Sequence, residues 1–550
     1  MLPIIECVPN FSEGQNPDLI KIITDQIETV AGVRLLNVDP GKATNRTVVT
    51  FVGSPEAVVE AAFRAIKKAG ELIDMRHHKG EHPRMGATDV CPLIPIAGIS
   101  MEETAVWAQR LAERVGSELA IPVYLYEAAQ KDKKRSNLSV IRAGEYEGFF
   151  KKIRLPEWKP DYGPAEFDVR RGGTVIGARD FLVAYNVNLN TTSTRRANAI
   201  AFDVREAGRV IRDGDKSTHV PGTLKAVKAI GWYIEEYGIA QISMNLTNIH
   251  VTPVHLAFDE VCKAAAERGI RVTGSELVGL IPLQAMLDAG KYFLEKQQRS
   301  TGVAEKELIR IAILSMGLDE LGPFVPEERI IEYLLRTPSA DRLVKMPLRD
   351  FADETASESP APGGGSIAAY TAALGAALAT MVANLSAHKK GWDNRWKEFS
   401  DWAGRGQTYK DELIRLVDED TRAFDGIMNA FALPKGNEQE KVLRHQAIQQ
   451  ATRAAIEVPF RVMEVAYASL AVIKQMATDG NPNSVSDAGV GALCARAGVF
   501  GAFMNVRINA AGYEDKDYVS QILAKGKEIA DRTADAEAEI LRIVEEKIGL

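Results

Sequence analysis

The pattern of apolar residues changes near residue 330, and this change limits the possible folds more than any other feature of the chain. Before it, short β-branched or aromatic runs alternate with stretches that have apolar residues at helical spacing, which is typical of an α+β protein. After it, long alanine-rich helical patterns, such as residues 438–475, continue with almost no strand-like run. The sequence therefore predicts an α+β half joined to an all-α helical bundle.

The order of elements in the first half predicts two ferredoxin-like subdomains, each a sheet with helices on one face. The first reads β-α-β-β-α-β with one extra αβ unit, and a similar order returns after a segment rich in Lys, Pro and Gly at residues 151–173. A typical domain size of about 150 residues suggests three or four folded units in this chain of 550 residues. We place a first subdomain at residues 1–173, a second at 174–330, a linker at 331–347 and the helical domain at 348–550.

Composition and charge exclude several classes of protein. The net charge of −7 argues against a nucleic-acid binder with a basic surface. The four cysteines lie far apart without a CxxC pair, so we expect neither a zinc ribbon nor a disulfide framework. The amino-terminal residues lack the basic segment and small-residue cleavage site of a signal peptide. We therefore expect a cytoplasmic protein.

One stretch could instead cross a membrane. Residues 367–385 carry no charge and are just long enough to span a bilayer. They are dominated by alanine, and they follow a proline- and glycine-rich loop where an anchor would have aromatic or basic residues. We predict a closely packed central helix of a soluble bundle, with a membrane-anchored protein as the alternative.

A loop at residues 76–89 concentrates three of the eight histidines, His77, His78 and His82, among cations and carboxylates. A zinc site would need His78 and His82 on one helical turn, and the glycine and proline between and beside them make a helix improbable. Histidine titrates near neutral pH, so this loop favours an acid/base histidine and an anionic substrate. A polar surface loop is the alternative.

Two other segments of the first half have the composition of anion or pterin contacts, residues 37–46 and 170–181. The second contains Gly172 and Gly177, where backbone amides could approach a ligand closely. Arg179 could hold a carboxylate through two parallel hydrogen bonds. For each segment, a turn that enters a strand is the alternative.

In the second half, a glycine-rich loop leads directly into the alanine-rich helix. Residues 363–366 would expose unpaired N–H groups suited to a carboxylate or a polar ring. A flexible linker explains the loop equally well. Residues 480–509, which carry Asp487, repeat the design of a loop followed by a small-residue helix, and they could form the opposite wall of the same pocket or only a helix interface.

The helical pattern around residues 409–433 places a carboxylate on an apolar face. The stripe consists of Leu413, Val417, position 420, Phe424, Ile427 and Phe431. A buried acid at Asp420 could stay protonated and donate a proton near neutral pH, although a structural hydrogen bond to another helix is the alternative. Asp418 lies on a different face of this helix from the apolar stripe. We therefore predict that Asp418 is solvated and forms an ion pair with Arg422.

Several long motifs resemble a known family. IIECVPNFSEG, HHKGEHPRMGATDVCPLIPI and VIGARDFLVAYNVNL resemble the formiminotransferase domain of the formimidoyltransferase-cyclodeaminase family. SPAPGGGSIAAYTAALGAALATMVANL and GNPNSVSDAGVGAL resemble its cyclodeaminase domain and are also similar to single-domain methenyltetrahydrofolate cyclohydrolases. Domain order and size match over essentially the whole chain.

The resemblance implies a bifunctional transferase and lyase of histidine degradation. The first half would transfer the formimino group of N-formimino-L-glutamate to N5 of tetrahydrofolate. The second half would cyclise 5-formiminotetrahydrofolate to 5,10-methenyltetrahydrofolate and release ammonia. The expected partners are these small molecules, with the folate co-substrate in monoglutamyl or polyglutamyl form. Independently of the resemblance, the small-residue faces of the helical bundle predict a homo-oligomer. We expect no metal, nucleic acid or membrane.

The resemblance also implies the site residues. The transferase histidine of the HPRMG motif is His82, and the acid at the second aspartate of the VDxD motif is Asp420. With the segments above, the candidate transferase contacts are Asp39, Lys42, Arg46, Gly163, Gly172, Gly177 and Arg179. The candidate cyclodeaminase contacts are Pro362, Gly363, Gly364, Gly365, Ser366, Asn384 and Asp487. His388 departs from the family pattern, either as a second acid/base group or as a harmless substitution.

Three other functions remain open. The chain could be a glutamate formimidoyltransferase whose helical half acts only as a cyclohydrolase or an assembly platform. It could also be a non-catalytic folate-binding or scaffold protein, or a membrane-anchored protein. Separate loss of the two activities in variants of Asp420 and His82 would distinguish the bifunctional enzyme from the first two.

Overall fold

The computed structural model describes residues 3–41, 45–80, 83–213, 216–335 and 342–549, and for residues 212, 213 and 216 it describes the backbone alone. The chain divides into two compact units. The first contains Met1–Ala285 and Met316–Leu335, and the second contains Met286–Ser315 and Arg336–Leu550.

Among the residues that the structure describes, the strands lie in the first unit. Within the described residues they are β1 (Ile4–Cys7), β2 (Asn10–Phe11), β3 (Val33–Gly41), β4 (Arg46–Gly53), β5 (Thr88–Ala97), β6 (Val123–Glu127), β7 (Thr174–Ala178), β8 (Val183–Leu189), β9 (Arg209–Asp213), β10 (Lys216–Val220), β11 (Val227–Ile234), β12 (Ile239–Leu246) and β13 (Val272–Val278).

The helices occur in both units. Over the same residues they are α1 (Pro17–Glu28), α2 (Pro55–Leu72), α3 (Met101–Glu118), α4 (Leu138–Arg142), α5 (Glu145–Lys152), α6 (Thr194–Val204), α7 (Val254–Ala266), α8 (Leu283–Lys296), α9 (Glu305–Met316), α10 (Pro326–Arg329), α11 (Ile331–Leu335), α12 (Leu348–Thr355), α13 (Gly364–Ala387), α14 (Trp396–Ala432), α15 (Glu438–Asp479), α16 (Val485–Ala510) and α17 (Lys516–Ile548).

The first sheet has the predicted ferredoxin-like topology. Strands β1 and β2 share one position between β4 and β5, so the order is β3-β4-β1/β2-β5-β7-β6. The element sequence β1-α1-β3-β4-α2-β5 is the ferredoxin-like core, and α3-β6 is the extra unit. Strand β7, which the sequence placed at the start of the second subdomain, pairs in parallel with β5 and β6 of this sheet. All five of its residues are buried, so no alternation of polar residues marks which sheet it joins.

The second sheet repeats the topology. Its order is β11-β12-β8-β13, with α6 and α7 as the two crossover helices, and a separate hairpin of β9 and β10 lies outside it. The prediction of two ferredoxin-like sheets is therefore confirmed.

The first sheet buries both of its faces. The long helices α1, α2 and α3 pack with one face in the main core, which includes Ile5, Cys7, Phe51, Leu93 and Ile176. The short helices α4 and α5 pack on the opposite face against Val90, Tyr124 and Val175, through Ile141 and Phe149. The sequence predicted helices on one face only, because the short amphipathic pattern of α4 and α5 resembles a loop.

The helical unit is built around α13, as predicted for a closely packed central helix. Gly375 of α13 faces α16 so closely that a Cβ there would lie 2.7 Å from the carbonyl oxygen of Gly491. By length and composition, two helices are apolar enough to cross a membrane, Gly364–Ala387 and Pro482–Ala510. The apolar part of the first is mostly buried within the bundle and that of the second less than half. Central helices of a packed core pass the same test, so this finding is weak evidence for a membrane.

Candidate active sites

The histidine loop of the first unit is anchored on both sides. His82 lies outside the described residues, so its acid/base role stays a prediction. On its carboxyl side, the buried guanidinium of Arg84 donates to Glu145 at 3.0 Å and to Glu147 at 2.6 Å. The Nε of Arg84 also donates to Nδ1 of His78 at 3.2 Å. The two sides of the loop are therefore joined to each other and to α5.

His78 has a structural role in this anchor. Because its Nδ1 accepts from Arg84, its Nε2 carries the hydrogen and donates to the carbonyl oxygen of Asn45 at 2.8 Å. Burial lowers the pKa of His78, and the positive charge of Arg84 adds to this effect. A neutral ring therefore suits the site. The sequence could not separate the three histidines, because their roles depend on partners distant in the chain.

A buried acid that the sequence analysis missed lies on β1. Ile5 and Cys7, which flank Glu6, point into the helix-covered core. Because side chains alternate along a strand, Glu6 points to the opposite face of the sheet. Glu6 is 3% exposed, and burial raises its pKa to about 7 against the opposing charge of Arg179. The arginine side chain also donates to the hydroxyl group of Tyr126. The sequence feature that could have indicated this buried acid is the single carboxylate inside the apolar run IIECV.

Two of the predicted transferase contacts, Asp39 and Arg46, belong to a group of charged side chains. Asp39 and Arg46 lie on the paired strands β3 and β4, and the charges of Asp39, Asp89 and Arg142 all act on Arg46. Asp89 is fully buried, and it accepts from Arg142 Nη2 at 2.7 Å and from the N–H of Met85 at 2.9 Å. Burial raises the pKa of Asp89. Lys42 lies outside the described residues.

The three predicted glycine contacts are explained by close packing within the protein. Gly172 has a φ of +70°, and a Cβ there would lie 2.2 Å from the carbonyl oxygen of Met85. A Cβ at Gly163 would lie 2.4 Å from the carbonyl oxygen of Ile121, and one at Gly177 would meet the ring of Tyr126. Ligand contacts at these glycines stay a prediction.

In the second unit, the start of α13 and Asp420 of α14 come together. The cap residue Gly363 has no side chain, and Asp420 accepts instead from the N–H of Ser366 and from its hydroxyl group at 3.1 Å. Burial raises the pKa of Asp420, and the bonds from Ser366 oppose that rise. Gly364 and Gly365 begin the helix beside this carboxyl group, directly after Pro362 and Gly363. The structure therefore brings together six of the predicted cyclodeaminase residues.

Asp420 marks the point where α14 passes from the bundle towards solvent. Before it, Leu413 and Val417 of the predicted stripe are fully buried. After it, Phe424 is 39% exposed and Phe431 is 50% exposed, so the prediction of a continuous buried stripe is wrong in this part. Helical spacing reports only which residues share a face, and the packing partner ends before the stripe does. Asp420 itself is half-buried and within reach of a small molecule.

The prediction for Asp418 is wrong. Its carboxylate is buried and accepts from the N–H of Leu343 at 2.8 Å and of Val344 at 3.3 Å. These donors begin a short 3₁₀ turn, Leu343–Lys345, whose packing against α14 the sequence did not indicate. Asp418 is therefore a structural cap, whereas Asp420 is the more accessible acid.

Asn384 and Asp487 lie at the opposite end of the bundle. Eighteen residues of α13 separate Ser366 from Asn384, which at 1.5 Å per residue is about 27 Å. The N–H of Asn481 donates to Ser386 at 2.8 Å, so the start of α16 and Asp487 also lie at that end. Within one chain the structure does not bring these two residues to Asp420. Instead, Asn505 near the end of α16 lies beside Gly364, a neighbour that the sequence analysis missed.

Asn384 and His388 connect α13 to the segment between α8 and α9. Asn384 Nδ2 donates to the carbonyl oxygen of Gly302 at 2.8 Å, and the N–H of Ser300 lies 3.5 Å from His388 Nε2. Burial and the charge of Arg299 lower the pKa of His388. A cavity of about 310 Å³ is lined by these side chains. Over the part of the chain that the structure describes, no group of three or more His, Cys, Asp or Glu side chains could hold a metal ion.

Three protein-family models match successive segments of the chain. The formiminotransferase domain, N-terminal subdomain, matches residues 4–179, and the formiminotransferase domain matches residues 184–336. The formiminotransferase-cyclodeaminase model matches residues 347–528. The first match ends just after β7, in agreement with the pairing of that strand in the first sheet.

Curated proteins resemble both the whole chain and its separate halves. A formimidoyltransferase-cyclodeaminase from Gallus gallus is 43% identical over 100% of both chains. A glutamate formimidoyltransferase from Thermoplasma acidophilum is 43% identical over 54% of this chain and 93% of its own length. A methenyltetrahydrofolate cyclohydrolase from Methylorubrum extorquens is 36% identical over 36% of this chain and 94% of its own length.

Proposed function

The chain belongs to the formimidoyltransferase-cyclodeaminase family, and we propose that it catalyses two successive reactions on folate. The α+β half transfers the formimino group of N-formimino-L-glutamate to N5 of tetrahydrofolate. The helical half closes the product to 5,10-methenyltetrahydrofolate and releases ammonia. The observation that carries this proposal is the full-length similarity to a bifunctional relative, together with separate matches of each half to proteins named for one activity.

In the transfer, N5 attacks the amidine-like carbon, and the bond from that carbon to the glutamate nitrogen breaks. A proton must leave N5, and one must reach the departing nitrogen. His82 shuttles this proton, a role worth a factor of about 10² to 10⁴ in rate. The hydrogen bond between Arg84 and His78 leaves the His78 ring with a structural role, which supports His82 over His78 as the acid/base histidine. Arg179 binds a substrate carboxylate.

In the cyclisation, N10 attacks the same carbon and the former imino nitrogen departs as ammonia. Starting from the protonated formimino group, an amidinium, the net reaction moves one proton from N10 to the departing nitrogen and leaves the positive charge on the methenyl product. Asp420 donates to that nitrogen in its protonated form and is ionised by the step, so it must regain a proton in each turnover. The burial that raises the pKa of Asp420 supports its role as an acid.

A coupled assay with purified protein, tetrahydrofolate and N-formimino-L-glutamate tests both steps. We expect glutamate release, ammonia release and the near-ultraviolet absorbance of methenyltetrahydrofolate. Glutamate without methenyl product would leave a transferase with a helical half that does not cyclise this intermediate. Folate binding without any turnover would contradict the enzyme assignment and favour a scaffold.

The similarity of the helical half to a cyclohydrolase favours one alternative. In this version the helical half hydrolyses 5,10-methenyltetrahydrofolate and does not release ammonia. Supplying methenyltetrahydrofolate and, separately, 5-formiminotetrahydrofolate to the same preparation distinguishes the two. Turnover of the formimino compound with ammonia release supports the cyclodeaminase.

We also propose that the protein is a homo-oligomer. Apolar side chains remain exposed along the outer faces of α13 and α16, and such surfaces commonly cover one another in symmetric assemblies. They are Leu374, Met381, Leu385, Val490, Leu493, Met504 and Ile508. Light scattering should report more than one chain per particle, and Met504→Glu should lower the particle mass. A monomeric wild-type protein would contradict the proposal.

The remaining proposals concern location and ligands. Cys7 and Cys91 are thiols whose sulfur atoms lie 3.5 Å apart without forming a disulfide, which supports a reducing compartment such as the cytoplasm. Fractionation of cells that express the chain tests this directly, and recovery with membranes would contradict it. We propose tetrahydrofolate as co-substrate and no metal, and activity that survives a chelator would agree.

A further inference from the structure

The hydroxyl group of Ser366 has more hydrogen-bond partners than it can donate to at once. Its side chain is fully buried. The oxygen lies 3.0 Å from the carbonyl oxygen of Val417, 3.1 Å from Asp420 Oδ2 and 3.3 Å from Thr421 Oγ1. A serine hydroxyl has one hydrogen to donate and two lone pairs that can accept. Which oxygen receives that hydrogen depends on the protonation state of Asp420.

Two arrangements satisfy all of these groups. When Asp420 is protonated, its O–H donates to Ser366 Oγ, and the serine hydrogen points to the carbonyl oxygen of Val417, which can only accept. When Asp420 is ionised, the serine hydroxyl rotates and donates to Oδ2. The hydroxyl of Thr421 can donate or accept in either arrangement, and the backbone N–H of Ser366 keeps the carboxyl group in place.

We propose that Ser366 is a positioning residue whose hydroxyl rotates between Val417 and Asp420, so that the half-buried carboxyl group is hydrogen-bonded in both of its protonation states. This inference rests on the proposed function, because cyclisation requires Asp420 to give up and regain a proton in each turnover. A buried polar group without a partner costs about 1–3 kcal/mol. A fixed donor would favour one state, whereas a rotating hydroxyl lets the proton leave and return at similar cost.

The surroundings of Asp420 allow the hydroxyl group of Ser366 to have a large effect on the protonation of this carboxyl group. Burial and the two bonds from Ser366 are the causes that shift its pKa. On α14, the adjacent Glu419 is paired with Arg415 and lies 3.8 Å from Arg422. On the packed helix α16, Arg507 stacks on Phe503. Neither α13 near its start nor the loop before it, over residues 359–370, carries a charged side chain.

The test uses Ser366→Ala, with Ser366→Thr as the variant that keeps a hydroxyl. Ser386→Ala is the matched control, because Ser386 is equally buried near the other end of the same helix and donates to the carbonyl oxygen of Val382 at 2.7 Å. Cyclisation of 5-formiminotetrahydrofolate is measured over a pH series in the full-length protein. Transferase activity of the same preparation reports that each variant is folded.

For Ser366→Ala we expect the rate constant of cyclisation to fall about tenfold with little change in KM, because the side chain is fully buried and a positioning role acts through Asp420. The alkaline limb of the pH–rate profile, where the rate falls as Asp420 ionises, should move to higher pH by about half to one unit. The reason is that the ionised carboxyl group loses a hydrogen-bond donor. Ser366→Thr should restore the wild-type limb, and Ser386→Ala should leave it in place. Equal defects in the Ala and Thr variants, or an unmoved limb, would mean that Ser366 only packs.

A titration of the Asp420 carboxyl group by carbon-13 NMR separates this inference from the proposed function. The signal is identified by its loss in Asp420→Asn. An unshifted titration in Ser366→Ala would overturn the rotating hydroxyl alone. Ammonia release that persists in Asp420→Asn would overturn the role of Asp420 itself, whatever the titration shows.

Discussion

The carboxyl group of Asp420 occupies the space that a side chain at Gly365 would need. A Cβ at that glycine would lie 2.2 Å from Asp420 Oδ1 and 2.5 Å from its Cγ, far inside van der Waals contact. The glycine-rich start of α13 therefore serves two purposes in one place. It offers the N–H of Ser366 to the acid, and it leaves room for the acid to reach that donor.

Gly365→Ala should displace Asp420 and reduce ammonia release at least tenfold, while the transferase activity of the same chain is retained. The physical reason is steric, because the added methyl group and the carboxyl group cannot both keep their positions. Gly426→Ala on α14 is the matched control, since a Cβ there meets no atom within 4 Å and alanine favours helix. Separate assays of ammonia and glutamate release measure both activities. Unchanged cyclisation in Gly365→Ala would contradict the described position of Asp420.

Asp420→Asn should abolish the proton donation and lower cyclisation by about 10² to 10⁴, with glutamate release unchanged. In the wild-type enzyme the rate should fall as pH rises through the pKa of Asp420, because an acid works only while protonated. Burial raises that pKa, so the fall should come at higher pH than an exposed aspartate would give. A pH series on 5-formiminotetrahydrofolate checks the direction. A rate that rises with pH through the same interval would indicate a base.

Glu6→Gln should stabilise the first sheet at pH 8 and leave it nearly unchanged at pH 4. The pKa of Glu6 in the folded protein is about 7 against an ordinary 4.5, a difference that corresponds to about 3 kcal/mol. Below pH 4.5 both folded and unfolded chains hold the proton. As pH rises to about 7 the unfolded chain ionises first, so the wild-type protein loses stability over that interval.

Hydrogen exchange of β1 and β4 in the full-length protein measures this effect. Exchange in the wild type should become faster relative to Glu6→Gln between pH 5 and 8, after correction for the intrinsic pH dependence of exchange. The exposed Glu113 of α3 offers the control, because Glu113→Gln changes an equal charge at the surface. Equal protection of wild type and Glu6→Gln at pH 8 would contradict the raised pKa of a buried Glu6.

Arg84→Met should destabilise the histidine loop by about 1–3 kcal/mol and lower the transferase rate, with cyclisation retained. The substitution leaves His78 Nδ1 without its donor and removes the partner of Glu145 and Glu147. The cost is smaller than for a fully buried pair, because both carboxylates reach solvent. Arg110→Met on the exposed face of α3 is the control. Limited proteolysis around residues 76–89 reports the loop, and equal resistance in both variants would argue against the anchor.

Local periodicity predicted most of the elements and the position of Asp420 on an apolar helix face. Helix α3 begins where Ser100 and Glu103 form the reciprocal capping pair that their spacing permits. Asp420 lies in a helical stripe, and its position on the bundle-facing side agrees with that spacing. Glu6 and Asn505 were missed, because a carboxylate in a strand and an amide in a helix have no local mark of the groups that approach them.

The sequence by itself determined the α+β half, the helical half and the family to which both belong, because periodicity and long motifs are properties of neighbouring residues. Only the tertiary structure decided the neighbours of each site residue. It separated Asn384 from Ser366 by the length of α13, made Asp418 a buried cap, and joined His78 to Arg84. These relationships depend on which elements pack together, and packing is decided by the shape and burial of surfaces from distant parts of the chain.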